Sequence, residues 1–148
     1  MTYPKPETIA VWTSLVSANK ILLDDIEDAL KSEGLPTLHW YDLLLEIEKA
    51  GEDGIRPFEL RKRLLLPQYG VSRLLERMAK AGLINRQDVE DDGRGHIITL
   101  TQKGQETRKA MWPVYAGVLA QSIEQRFTES ETAEFAHLLK KLTPLGNI

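Results

Sequence analysis

Residues 71–104 read VSRLLERMAKAGLINRQDVEDDGRGHIITLTQKG. The hydrophobic period changes twice within this stretch. Val71, Leu74, Leu75 and Met78 recur at helical spacing, with Ser72, Arg73 and Arg77 on the opposite face. Gly82 closes that helix in the C′ position. Residues 83–87 then form a short strand candidate, residues 88–95 a polar loop, and His96–Leu100 a β-branched second strand, which together make a hairpin. Thr101 is placed to cap a further helix. A helix with a basic outer face followed at once by a hairpin is the pattern of a winged helix-turn-helix.

The flanks agree with that reading. A short helix starts at Pro57, where a missing amide donor costs nothing. It directs Phe58, Leu60 and Leu64 inward and Arg61, Lys62 and Arg63 mostly outward. Pro67 opens the second helix of the pair, residues 68–81. Upstream, residues 8–31 form a long amphipathic helix ended by Gly34 and Pro36. Thr37 is the N-cap candidate of the next helix, whose inner face is Leu38, Tyr41, Leu44, Leu45 and Ile47, and GEDG (51–54) is a turn. Downstream, the helix capped by Thr101 runs to about residue 126, with Pro113 expected to kink it. Thr128 and Glu131 form a capping box, and Phe135, Leu138, Leu139 and Leu142 share one face of the last helix. The fold class expected is mainly α with one small β-hairpin.

Composition narrows the function. The chain has 148 residues and no cysteine, which excludes disulfides, thiol redox sensing and cysteine-bound zinc. Its first ten residues lack a basic segment followed by an apolar one, so no signal peptide is expected, and the apolar runs are too short to span a membrane. A cytoplasmic protein with no membrane partner is expected. The net charge of −3 is unevenly spread: residues 55–108 hold 11 Lys/Arg against 7 Asp/Glu, and the remainder holds 8 against 15. A basic middle between acidic ends suits a polyanion on one surface. His39, His96 and His137 are scattered, so no metal site is expected, and His96 reads as a surface residue. No catalytic residue set, phosphate-binding glycine loop or cofactor motif stands above chance.

An α-helix fits the major groove of B-DNA, where base edges carry a distinct donor and acceptor code. Gln68, Tyr69, Ser72, Arg73 and Arg77 offer the groups that read bases or hold phosphates. Arg94, the one cation of the wing loop, stands between Gly93 and Gly95, suited to a narrow and negative minor groove.

The sequence resembles the MarR family of transcriptional regulators. The resemblance lies in ELRKRL (59–64), VSRLLERMAKAGLINR (71–86) and DGRGHIITLTQKG (92–104), and the number and order of helices extend it over nearly the whole chain. It implies one MarR-like domain over residues 1–148, with dimerisation helices at 1–36 and 105–148 and a DNA-binding lobe at 37–104. It implies a homodimer on a palindromic double-stranded operator, most often a repressor, released by a small aromatic or anionic effector that alters the separation of the recognition helices. By position, Ser72, Arg73, Arg77 and Arg94 would contact DNA, and Asp92 would brace an arginine of the wing or recognition helix. The effector cleft would draw on His39, Trp40, Tyr41, Trp112 and Tyr115. Three residues depart from the family pattern: Pro67 where Ser or Thr often caps, Gly70 in the first helical turn, and Arg61 where alanine is usual.

Plainer readings compete. Arg73 and Arg77 could be solvated helix residues paired with Glu76 or Glu90. Trp12, Trp40 and Trp112 suit a core or a dimer interface better than ligand stacking. The rival functional class is a winged helix that docks a protein and binds no nucleic acid.

Overall fold

The computed structural model describes residues 2–66, 69–88 and 95–143. Five helices lead and follow a hairpin within one order: α1 (Pro6–Ser32), α2 (Leu38–Ala50), α3 (Pro57–Arg63), α4 (Val71–Lys80), β1 (Ile84–Asp88), β2 (His96–Leu100), α5 (Gln102–Leu119) and then a sixth helix, α6 (Glu129–Lys140). A single 3₁₀ turn, Gly51–Asp53, follows α2. The strands pair antiparallel, from Ile84 opposite Leu100 to Asp88 opposite His96. Ile55 adds a bridge to the outer side of β2, exchanging both backbone bonds with Ile98 at 3.0 and 2.9 Å.

One continuous core joins α1 to α5 and the hairpin. α1 contributes Ile26 and Leu30, α2 contributes Leu38, Tyr41, Leu43, Leu44 and Ile47, and Met111 enters from α5. Leu60, Val71, Leu75 and Met78 seat the helix pair on it, with Leu83, Ile84 and Ile98 from the hairpin. Burial at this scale, about 1.5–3 kcal/mol for each large side chain, fixes the relative positions of α2, α4 and the wing root.

Several details differ from the sequence expectation. Thr37 occupies the N-cap position of α2 without capping; the Leu38 amide instead donates to Glu27 Oε1 of α1 at 2.6 Å. A carboxylate eleven residues upstream, anchored in a neighbouring helix, satisfies the orphan donor. Phe58 is not inward: it is 63% exposed, with the Lys62 ammonium 4.0 Å above its ring. In a helix of seven residues Phe58 and Leu60, only two positions apart, point to different sides and do not define one face, and Leu60 alone is buried. Leu43, which the pattern left out, is fully buried. α4 begins at Val71 rather than at residue 68, because Gly70 stands at its N-cap with φ 67° and ψ 40°. That left-handed conformation costs an L-residue roughly 1–2 kcal/mol and suits glycine. Gly70 is thus the entry turn and no part of the helix. The strand expected over 83–87 is shifted by one residue to Ile84–Asp88.

The helix that starts at Thr101 holds regular α geometry through Pro113 to Leu119, then widens into a π turn over Ala120–Glu124. Thr101 caps it, its hydroxyl accepting from the Gly104 amide at 3.0 Å. The Thr128–Glu131 capping box forms in both directions.

Gly104 lies where α5 passes under the wing. A Cβ there would overlap the Leu83 carbonyl oxygen and sit 2.7 Å from Leu100 Cδ1. Gly104→Ala should therefore force α5 off the hairpin and lower stability by about 1–3 kcal/mol, read as a lower urea midpoint with an unchanged slope. An unaltered midpoint would show that the junction yields freely.

Candidate nucleic-acid interface and adjoining cleft

α4 buries Val71, Leu75 and Met78 and turns Ser72, Arg73, Glu76 and Arg77 to solvent. Arg73 and Arg77 are one helical turn apart and so lie on one face. Glu76 pairs with Lys80 at 3.6 Å, and neither arginine has a carboxylate within 4.0 Å among the described residues. The pairing with Glu76 weighed from the sequence is therefore absent, and Glu90 lies outside the described residues. Tyr69 precedes the helix and is 96% exposed. Arg61 reaches across from α3, its Nη2 donating to Ser72 Oγ at 3.2 Å. Tyr69, Ser72, Arg73 and Arg77 thus share one open surface. Gln68, Asp92 and Arg94 lie outside the described residues.

At the root of the wing, His96 Nδ1 and Asp88 Oδ1 are 2.8 Å apart across paired positions. A further cation, Arg56 at the N-cap of α3, brings its guanidinium close to Gly95. It was not among the expected site residues, because only the folded hairpin returns to that point.

Both ends of α4 are tied to the rest of the chain. At the start, Asp42 of α2, only 7% exposed, accepts from the Leu65 amide (3.2 Å, Oδ1) and the Leu66 amide (2.9 Å, Oδ2). These amides belong to the connection between α3 and α4. At the end, the Ala81 carbonyl accepts from Lys103 Nζ at 2.9 Å and the Gly82 carbonyl from Thr101 Oγ1 at 2.7 Å. Sequence reasoning missed Asp42, since its partners stand 23 and 24 positions away and leave no local pattern.

Between α2, α5 and the α3–α4 connection lies a cleft of about 670 Å³. Tyr41, Trp112 and Tyr115 line it, together with Asp42, Lys62, Arg63, Leu65, Leu66 and Arg108. Tyr41 and Tyr115 meet edge to face at 5.2 Å, and Trp112 and Tyr115 likewise at 5.5 Å. Three of the five expected cleft residues therefore come together. His39 is exposed and Trp40 packs against the core, and neither lines the cleft. Arg108 Nε donates to Glu48 Oε1 at 2.9 Å, and this bond holds its pKa above the ordinary arginine value against the opposing effect of burial. It is a fixed positive charge. Glu46 also lines the cleft; its Oε2 is buried without a hydrogen bond, the Lys49 ammonium standing 3.5 Å off.

This arrangement is a winged helix-turn-helix: two short helices, the second with a free basic face, joined directly to an antiparallel hairpin. A sequence model described as the MarR family matches residues 33–95. The multiple antibiotic resistance protein MarR of Salmonella typhimurium is 31% identical over 104 residues, covering 70% of this chain and 71% of that protein. The Escherichia coli K12 protein of the same name is 30% identical over 90 residues, covering 61% of this chain; the chain spans 62% of its length. A crystal structure of a mutant MarR from E. coli complexed with operator DNA superimposes with a TM-score of 0.78 at 25% identity, over 95% of this chain and 99% of that one. The chain belongs to the MarR family. Among the described residues no helix is long and apolar enough to cross a membrane, and no group of His, Asp and Glu is placed to hold a metal ion.

Burial raises the pKa of the Tyr115 hydroxyl, with Tyr41 and Asp42 adding to it. The folded state resists ionisation that the unfolded chain undergoes near its ordinary value of 10.0. Stability is thus complete below that pH and falls as pH rises beyond it. Tyr115→Phe should flatten this alkaline decline in urea midpoint; an equal decline in both proteins would place the titrating group elsewhere.

Proposed function

We propose that the chain is a cytoplasmic transcriptional regulator that binds double-stranded DNA as a homodimer and acts as a repressor. The observation that carries this is the free basic face of α4: Arg73 and Arg77, exposed and unpaired among the described residues, stand opposite a face locked into the core. Each recognition helix would enter a major groove, with Arg73 and Arg77 on guanine edges or phosphates, Ser72, Tyr69 and Gln68 beside them, and Arg94 of the wing in the minor groove, braced by Asp92. The E. coli relative solved with operator DNA supports the same partner here. The chain would act as one MarR-like domain, with residues 37–104 as the DNA-binding lobe.

The dimer would form through residues 1–36 and 105–148. α1 and α6 leave an apolar groove of about 470 Å³ lined by Val11, Leu15, Phe135, Leu138, Leu139 and Leu142. Phe135, Leu138 and Leu142 are exposed in the isolated chain, as is Trp12 further along α1. Such contiguous apolar surface supports placing the dimer interface here. Two lobes on one face of the duplex would address half-sites roughly one helical turn, about 34 Å, apart. The cleft would take a small aromatic effector bearing an anionic group, its ring against Trp112 and Tyr115 and its charge toward Arg63 and Arg108.

Fluorescence anisotropy of a labelled duplex from upstream of the protein's own coding region tests the reading. Binding should be tight and fall steeply with salt, as counterion release requires. Arg73→Ala and Arg77→Ala should each lose about 1–3 kcal/mol of affinity. A folded dimer that binds no duplex at low salt would instead favour a protein-docking module.

Leu138→Glu should shift the dimer toward monomer in sedimentation and weaken DNA binding in step. A variant that remains dimeric would move the interface off this groove.

A further inference from the structure

We propose that Arg61 of α3 and Ser72 of α4 form a clamp for a single phosphodiester of the bound duplex. This rests on the DNA-binding reading and adds a residue to it. Arg61 is exposed, has no carboxylate within 4.0 Å among the described residues, and holds Ser72 Oγ at 3.2 Å. Its neighbour Lys62 is already engaged, with Glu59 at 3.9 Å and with the Phe58 ring.

The direction of the bond decides the chemistry. A guanidinium has five N–H donors and no acceptor, whereas a hydroxyl has one donor and two acceptor sites. Ser72 must therefore accept from Arg61, which leaves its own proton to donate outward. Arg61 keeps its other N–H groups available to donate. Two donors, one of them charged, stand 3.2 Å apart on an exposed face that already carries Arg73. An anionic oxygen between them receives both. A phosphodiester supplies that oxygen at the groove edge, and charged planar donors match its geometry. The clamp bridges two helices, so it also couples the angle of α4 on α3 to the position of the DNA backbone. Alanine in place of Arg61 would leave Ser72 free to turn either way.

The test is a double-mutant cycle on duplex affinity, measured across salt concentrations. Arg61→Ala should weaken binding about tenfold, equally on operator and on unrelated duplex, and should reduce the salt slope by about 0.9, the share of one phosphate. Arg61→Lys should keep the slope and lose the coupling to Ser72. Arg61→Ala combined with Ser72→Ala should cost less than the two losses added. Both side chains are exposed, so unfolding midpoints should not move, which separates the clamp from a structural contact. Unchanged affinity and slope in Arg61→Ala would overturn the clamp, as would strict additivity or a loss confined to one base-pair substitution. Failure of the unsubstituted protein to bind any duplex would overturn the DNA reading first and the clamp with it; normal binding by Arg61→Ala would overturn the clamp alone.

Discussion

The Asp42 carboxylate holds the segment on which the placement of α4 depends. It sits in the middle of α2, nearly out of water, and receives two backbone amides from the connection ahead of the recognition helix. A buried charge is tolerated when its oxygens are hydrogen-bonded. Here the two N–H groups supply that, and the carboxylate in turn satisfies donors that would each cost about 1–3 kcal/mol if left unmade. The α3–α4 connection is therefore fastened to the core helix. α4 has no side-chain cap of its own; its start is set by Asp42 on one side of the turn and by the left-handed Gly70 on the other.

The far end of α4 is fastened as firmly, by a different device. Thr101 both accepts from Gly104 and donates to the Gly82 carbonyl, while its amide donates to Leu83. Lys103 takes the Ala81 carbonyl. The last carbonyls of a helix normally lack partners, and here the first turn of α5 provides them. Gly104 lets that turn approach the Leu83 backbone without a side chain between them. These bonds tie the end of α4 and the wing root to the start of α5.

Which of these features the sequence disclosed follows from the range of the interaction. Local ones were legible: the Thr128–Glu131 box, Gly82 at the end of α4, and a hairpin placed to within one residue of its observed start. The basic outer face of α4 was legible too, because a helix 0% exposed at Met78 leaves Arg73 and Arg77 only one direction to point. Long-range ones were not. Glu27 displaces Thr37 as the cap of α2, Glu48 finds Arg108 sixty residues on, and Asp42 finds Leu65 and Leu66. Each is a polar residue on a helix, and nothing in its neighbours says whether it faces water or another backbone. Phe58 failed for the opposite reason: α3 is too short for periodicity to choose a face. His39 and Trp40 were carried over with Tyr41 from the family resemblance, yet consecutive helical residues point 100° apart, and of the three only Tyr41 lines the cleft.

The same Asp42 attachment places the cleft directly beside the connection to α4. Leu65 and Leu66 line the cleft and bond Asp42 with their amides. Tyr41, next to Asp42 on α2, packs against Trp112 and Tyr115 of α5. Whatever fills the space between them meets the connection to α4 directly, without an intervening chain of contacts. Filling alone is not enough: a ligand shifts an equilibrium only by the difference in its affinity for two states. For the effector proposed above, that difference would have to come from Lys62, Arg63 and the two leucines, which belong to α3 and its connection to α4. An effector held only by Trp112, Tyr115 and Arg108 would occupy the cleft and leave DNA binding as it was. One that also engages Arg63 would touch the helix pair itself, the contact through which an effector would bias DNA binding.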